Sequence, residues 1–483
     1  MSTLNKITRN SPQKNYFRGI LMQESIGDEA VFLRISEFRK GLIQFTDSTN
    51  AMRLLKENGR DIRYNAEWHK WVVWNGKYWE MDVGGVLIHE KGLEMVHNIY
   101  EELAKTADYR QRIEIERAAI MSESVRRRKA FVEAATWIPV LRVKSEEFDK
   151  NPWLLNVKNG TIDILSGEFR EHRREDMITK IANVEYDPKA DCPKWKQFVR
   201  EILDYKADII KFVQTAVGWS LSGDTSEQTM FILFGTGANG KSTFLNTIMF
   251  LLGDYAKSTL TETFMKENGD NNTNDVARLR GTRFVTTTEV EQGRRLSEPL
   301  IKKITGNDEM TARFLYGEFF SFTPTFKIFM ASNHKPVIKG TDYGIWRRIK
   351  LIPFNSRIPE EKQDRFLEQK LREEASGILN WLLEGIANWK REKLKAPRAV
   401  SFATDEYREE MDIIGNFISE NCTQEKETTI SIKKLYKGYS DWCVENNEHP
   451  VSERFFSLRL KELGFQKGRT ATERYWVGIG LLE

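Results

Sequence analysis

Largely apolar runs punctuate the middle of the chain and read as strands. They are Met230-Phe231-Ile232-Leu233-Phe234, the run Phe326 to Asn333, and Ile349 to Pro353. A fourth run, Arg283-Phe284-Val285-Thr286-Thr287-Thr288-Glu289-Val290-Glu291, reads as a strand that ends in acid. After the first run, Phe244, Leu245, Ile248, Met249, Leu251 and Leu252 recur at helical spacing as far as Gly253, a plausible stop. Strands separated by helical segments imply an α/β core. Thr311 to Phe322 alternates instead, as a hairpin does, turning at Tyr316-Gly317-Glu318.

The flanks carry other patterns. Residues 1 to about 40 show no periodicity. Thr46 or Asp47 caps a helix through Met52, Leu54 and Leu55 to Asn58-Gly59. Trp68 to Trp79 is aromatic and β-branched around Asn75-Gly76, the strongest short hairpin signal. Its tryptophans could stack on single-stranded bases, but the core of a small sheet is the preferred reading. Residues 88 to 137 read as helices, with Leu93, Val96, Ile99, Tyr100 and Leu103 on one face. Arg126-Arg127-Arg128-Lys129 is read as a solvated helix face before a phosphate contact. A second β segment spans Leu154 to Arg170, and the prolines between Asp187 and Pro193 suggest a boundary.

Beyond Pro359, helical spacing resumes through Phe366, Leu371, Ile378, Leu382, Ile386 and Trp389, then through Met411, Ile414, Phe417 and Ile418. The last stretch reads as helix (Ile432 to Glu445), turn, helix (Ser452 to Leu463) and two short strands, Phe465–Lys467 and Arg474–Val477, a winged-helix order. Arg454, Arg459 and Lys461 on its second helix, with Lys467, Arg469 and Arg474 on the wing, are candidate duplex-DNA contacts. Nine basic against seven acidic residues over 429–483 give a mild excess, so a protein-docking module is the alternative.

Composition narrows the class. The chain has 483 residues, 40% hydrophobic and 30% charged, enough for several domains with real cores. Its 74 basic and 70 acidic residues nearly balance, so nucleic-acid binding must come from local clusters. Cys192, Cys422 and Cys443 are far apart, suggesting neither a disulfide framework nor a zinc site. No signal peptide and no run long enough to span a membrane is visible, so a cytoplasmic location without membrane contact is expected.

The chemistry concentrates at Gly235-Thr236-Gly237-Ala238-Asn239-Gly240-Lys241-Ser242-Thr243, directly after the first apolar run. It fits G-x-x-x-x-G-K-[ST], in which backbone N–H groups surround nucleotide phosphates. Lys241 would reach the outer phosphates, and Ser242 would offer a hydroxyl to Mg²⁺ beside the positive end of the following helix. Hydrolysis also needs a carboxylate, a polar sensor and usually an arginine. Glu289 or Glu291 would supply the acid, Asn333 the sensor amide, and Arg347 or Arg348 the arginine; each also has a bland reading as a turn or surface residue.

Taken in order, these pieces resemble superfamily 3 helicases, in particular the helicase module of phage and plasmid helicase–primases and poxvirus-type replication ATPases. The resemblance rests on Gly235–Thr243, Thr288–Arg295, Ile304–Asp308 leading into Thr311–Glu318, Ala331–Pro336 and Gly344–Arg348. It implies a P-loop, AAA+-like α/β core over 191–358, preceded by an extension (1–44) and an α+β domain (45–190). A helical subdomain and linker (359–425) and a winged helix (426–483) would follow. Lys241 and Ser242 would bind ATP and Mg²⁺, Glu289 and Glu291 form the acidic motif, with Glu289 beside the metal, and Asn333 sense the γ-phosphate. Arg347 or Arg348 would act across a ring, usually a hexamer, and Arg313 and Tyr316 would grip DNA in its channel. Many relatives of this kind have adjacent acids where this chain has Glu-Val-Glu, which leaves the roles of Glu289 and Glu291 open. About 45 leading residues are too few for a primase domain, so priming is not expected of this chain.

The function so implied is a ring-forming, ATP-driven DNA helicase for a phage, plasmid or other mobile element in a bacterial host. It would act on single-stranded and forked DNA with 3′-to-5′ polarity, beside a separate primase or polymerase. The alternative is an origin-binding initiator in which ATP controls assembly only. An NTPase without nucleic acid would leave the hairpin and winged helix unexplained, and Asn333-His334-Lys335-Pro336 is not a guanine-reading sequence.

Overall fold

Two sets of contacts divide the chain. The computed structural model describes residues 46–266, 273–288, 291–313, 319–340, 342–446, 448–470 and 473–482. The expected extension over 1–44 lies outside them, as do Glu289 and Tyr316. The protein is a mixed α/β chain in two units: the residues up to Asn151 with His172–Lys180, and Pro152–Glu171 with Ile181–Glu483. The expected joint at 187–193 therefore lies inside the second unit.

In the first unit, Thr46 rather than Asp47 caps helix α1 (Asp47–Asn58), its side chain accepting from the Thr49 amide. Strands β1 (Ile62–Asn65), β2 (Lys70–Trp74) and β3 (Trp79–Met81) follow. Helices α2 (Val86–Lys105), α3 (Tyr109–Glu123) and α4 (Val125–Ala135) lead to β4 (Arg142–Val143), and the sheet order is β3-β2-β1-β4. Gly76, at φ 92°, makes the turn between β2 and β3. Trp71 and Trp79 are buried and Trp68 stacks on Phe148, so the aromatic cluster is core, as the preferred reading had it. Arg127 of the basic run pairs with Asp47.

The second unit opens with the hairpin strands β5 (Leu154–Val157), β6 (Gly160–Asp163) and β7 (Phe169–Arg170). Leu155, Val157 and Ile162 share a core with Trp195 and Phe198 of α5 (Pro193–Ile202) and with α6 (Ala207–Trp219). The main sheet consists of β8 (Met230–Phe234), β9 (Ala256–Ser258), β10 (Phe284–Thr288), β13 (Lys327–Ser332) and β14 (Ile349–Pro353). All its pairings are parallel, in the order β14-β8-β13-β10-β9. The intervening elements are helices α7 (Lys241–Leu252), α8 (Thr273–Ala277) and α9 (Glu298–Thr305), the antiparallel pair β11 (Met310–Arg313) and β12 (Phe319–Phe322), and α10 (Tyr343–Trp346).

The largely apolar runs are explained by two-sided burial. Phe231, Leu233, Phe284, Phe329 and Ile352 face one hydrophobic cluster, whereas Met230, Ile232, Val285, Ile328 and Leu351 face the other. The first cluster is closed by α11 (Leu367–Arg372) and α12 (Ala375–Glu392). Helices α6 and α12 meet backbone to backbone: a Cβ at Gly385 would lie 2.1 Å from the Gln214 carbonyl oxygen.

Helices α13 (Arg398–Met411) and α14 (Ile413–Asn421) lead to a last module. It holds β15 (Cys422–Thr423), β16 (Thr429–Ser431), α15 (Ile432–Glu445), α16 (Glu453–Glu462), β17 (Gln466–Arg469), β18 (Arg474–Val477) and β19 (Gly480–Leu481). Its core joins Phe417 and Ile418 of α14 to Leu435, Tyr439, Phe456, Leu460 and Trp476. β18 lies between β16 and β17, so the two expected strands form a hairpin with a third strand alongside. Among the described residues, no helix is long and apolar enough to cross a membrane.

Candidate nucleotide site and cation clusters

The glycine loop leaves β8 at the carboxyl end of the parallel sheet, where open α/β sheets bind ligands. Phe234 accepts from the Phe354 amide (2.7 Å), and a Cβ on Gly235 would lie 2.3 Å from the Phe354 carbonyl oxygen, so only glycine fits. Gly237, Ala238 and Gly240 all have positive φ (108°, 51° and 75°), which turns the chain sharply into α7. Ala238 adopts a backbone that costs about 1–2 kcal/mol for a side-chain-bearing residue. Its carbonyl is held by the Ile358 amide at 2.9 Å. A Cβ on Gly240 would approach Ile202 Cγ2 to 2.5 Å.

No side chain caps α7, so the first-turn amides of Lys241, Ser242 and Thr243 present a positive helix end to the loop. Ser242 and Thr236 are exposed, and Lys241 is buried. The Lys241 Nζ donates to Gly235 O (2.7 Å), Asn333 Oδ1 (3.1 Å) and Asn239 Oδ1 (3.3 Å). Burial holds its ammonium below the usual lysine range. Among the described residues its acceptors are neutral carbonyls and amides, and an arriving phosphate would offer a charged one.

Asn333 follows β13 directly and joins Lys241 to a neighbouring cavity of about 670 Å³. Glu291 and His334 line that cavity, as do Glu262, Asp275 and Arg278, which no pattern in the sequence marked. Glu291 is well exposed, with Arg294 Nε 3.9 Å away. Loop, Lys241, Asn333 and Glu291 thus gather at one end of the sheet. Among the described residues, no cluster of three or more His, Cys, Asp or Glu side chains could hold a metal alone. An Mg²⁺ carried by phosphates needs one or two protein ligands, and the exposed Ser242 hydroxyl fits that need.

Arg347 and Arg348 lie at the opposite end. Register pairs Ile349 with Met230 and Pro353 with Phe234, so the arginines precede a strand whose far end meets the loop. That separation is roughly 16 Å at about 3.3 Å per residue. Arg348 is partly buried and bonds Thr305 Oγ1 (3.0 Å) and the Gly344 carbonyl. Burial and the neighbouring Arg347 lower its affinity for a proton. Arg347 is exposed and its guanidinium donates to Gln228.

Arg313 ends β11, exposed, with its guanidinium 4.8 Å from the centroid of the Phe319 ring across the hairpin. In the last module, Arg454 and Lys461 are exposed on α16. Arg459 is not free for a ligand: it bonds Asp412 Oδ2 (2.9 Å) and Glu462 Oε2 (3.2 Å), with its side chain only 14% exposed. This corrects the expectation of a DNA contact there, since i+5 from Arg454 turns the side chain back toward α14. Lys467 lies 4.7 Å over the Trp476 ring, its pKa lowered by desolvation and then by Lys461. Arg469 and Arg474 are exposed and directly opposite each other on β17 and β18. Like charges so paired repel unless an anion lies between them.

Three family models match the chain: "D5 N terminal like" over residues 51–204, a "Family of unknown function (DUF5906)" over 233–348, and "Poxvirus D5 protein-like" over 409–477. The "Putative helicase L207/L206" of Acanthamoeba polyphaga mimivirus is 30% identical over 325 residues, 62% of this chain and 34% of its own length. The "Putative primase C962R" of African swine fever virus is 24% identical over 381 residues, 72% of this chain and 38% of its own. The "Putative helicase 022R" of Frog virus 3 is 27% identical over 263 residues, 50% of this chain and 27% of its own. The chain thus spans about a third of the length of the curated relatives it matches. Among solved structures, the C-terminal region of NrS-1 aligns with 87% of this chain and 96% of its own at 11% identity, with a TM-score of 0.45. Fold and site define a mixed α/β protein with a glycine loop at the carboxyl end of a parallel sheet. D5 models match on both flanks of that sheet, and the relatives are named putative helicases and primases of large DNA viruses, so the chain is similar to the D5-type helicase–primases. These relatives are proteins of viruses of eukaryotes, and they lend no support to a bacterial host or a phage.

Proposed function

We propose that the second unit is a superfamily 3-type, P-loop, AAA+-like ATPase that drives a DNA helicase in viral or other mobile-element replication. One observation carries the reading: Lys241 is buried at an uncapped helix start, held by Gly235, Asn239 and Asn333 and by no acid among the described residues. That arrangement leaves a cation and first-turn amides for a triphosphate. Asn333 would orient the γ-phosphate or the attacking water, and Glu291 or Glu289 would polarise that water. Mg²⁺ at Ser242 would supply charge neutralisation between the outer phosphates.

Arg347 is the better candidate for the transition-state arginine, because Arg348 is already spent on Thr305 and Gly344. Neither reaches its own loop, which supports action on a neighbouring copy in a ring, in the family's manner a hexamer. Arg313 on β11, together with Tyr316 as the resemblance implies, would contact the single strand, and 3′-to-5′ movement follows from the resemblance alone. The C-terminal module is read as a winged helix that contacts phosphates through Arg454, Lys461, Lys467, Arg469 and Arg474. The Arg469–Arg474 pair, without an acidic partner in the contacts described, also favours a second reading, an initiator that binds duplex and does not unwind it.

Forked duplexes with a single 3′ or 5′ tail, given ATP and Mg²⁺, separate the two. Unwinding of the 3′-tailed fork, lost in Lys241→Ala, is the expected result. Duplex binding with hydrolysis and no strand separation would favour the initiator, and full turnover in Lys241→Ala would end the ATPase reading.

A further inference from the structure

Asn239 is the most constrained polar side chain of the glycine loop, only 2% exposed, and all its amide atoms are engaged. Its Oδ1 accepts from the Gly237 amide at 2.7 Å and from Lys241 Nζ at 3.3 Å. Its Nδ2 donates to the Ser356 carbonyl at 3.2 Å. One amide therefore fixes the crest of the loop, steadies the lysine, and ties both to the chain leaving β14. Two backbone bonds flank this tie, Phe354 N to Phe234 O and Ile358 N to Ala238 O. The loop is thus laced to residues 354–358 along its whole length, and Asn239 is the only side chain in that lacing among the described residues. The glycines make the loop's positive-φ backbone possible, but do not by themselves select it from other conformations.

We propose that Asn239 is a positioning residue: it holds the empty loop in the phosphate-accepting conformation by clamping it to the segment 354–358. This deepens the nucleotide reading and rests on it. A nucleotide then meets a formed cradle, and Lys241 has only to exchange weak acceptors for phosphate. Without the clamp the competent conformation is one of several, and apparent affinity falls by its fractional population while turnover of the bound complex does not.

The test uses the full chain with three substitutions. Asn239→Ala removes both bonding ends and is expected to raise the KM for ATP by about tenfold, the worth of one to two hydrogen bonds, with kcat little changed. In nucleotide-free protein, amide exchange should quicken at 236–240 and 356–358 and stay unchanged in the β8 interior. Asn239→Asp keeps the acceptor for Gly237 and loses the donor to Ser356. It should free the Ile358 amide while Gly237 stays protected, a readout independent of added charge near phosphate. Lys241→Ala serves as the control on the underlying reading. Unchanged KM and exchange in Asn239→Ala, with hydrolysis abolished in Lys241→Ala, would overturn the clamp and leave the ATPase standing. Faster exchange throughout the sheet would make Asn239 a general stability residue and would overturn it equally. Retained hydrolysis in Lys241→Ala would remove the basis of both.

Discussion

Lys241 and the Arg469–Arg474 pair are both cations without a carboxylate partner in the contacts described, yet their surroundings differ. Lys241 is buried and oriented by three oxygens of its own unit before any ligand arrives. Arg469 and Arg474 are exposed and stand opposite each other on two paired strands. The first arrangement is preorganised for one small, highly charged ligand. The second suits an extended polyanion whose phosphates can be met in many registers. Buried and oriented cations announce specificity, whereas exposed rows announce affinity that salt can dissolve.

Three experiments would break or sharpen this contrast. The largest effect is expected at Arg347, the exposed cation proposed to act on the nucleotide of another copy. Arg347→Ala should lower kcat by roughly 10³-fold. In assemblies mixed with wild-type subunits the loss should exceed the mutant fraction, measured by steady-state hydrolysis. Arg348→Ala should act mainly on stability, so an equal, trans-acting loss from Arg348→Ala would reverse the assignment. Next is Gly240→Ala. Positive φ and the approach to Ile202 should together cost about 2–4 kcal/mol, read as a shift in the denaturant midpoint without nucleotide. A neutral outcome would show the loop to be less confined than its contacts imply. Smallest are the module's arginines. Arg459→Ala should cost about 1 kcal/mol by removing the ion pair to Asp412, which keeps its bond from the Gly415 amide, with no change in the salt dependence of DNA binding. Arg469→Ala or Arg474→Ala should leave stability alone and lower the log–log salt slope by about one each. The opposite pattern would move the ligand surface from the wing to the helix.

How much of this the sequence revealed varies with the range of the forces involved. The glycine loop was legible because its geometry is local: three positive-φ positions, a strand before it and a helix after it. Strands β8, β13 and β14 were legible for the same reason, as largely apolar runs, though not their burial on both faces. Arg459 was misread because its fate depends on Asp412, which lies 47 positions away in sequence. Glu262, Asp275 and Arg278 carried no signal, since only the tertiary fold brings them to one cavity with Asn333. The β5–β7 hairpin read correctly as strands, but nothing in its alternation told which core it would join. Composition gave little, because near-neutral net charge conceals the local cation rows.

β14 begins beside Arg347 and Arg348 and ends where the chain is laced to the glycine loop, with a full ladder to β8 between. A strand so paired cannot stretch or slip by a fraction of a residue without breaking its ladder, so it transmits displacement as a stiff strut. A shift of the backbone at one tip would then be passed toward the other, some 16 Å away, at the lip of the glycine loop. Mechanical news reaching one edge of this subunit thus has a short, inextensible route to the opposite edge.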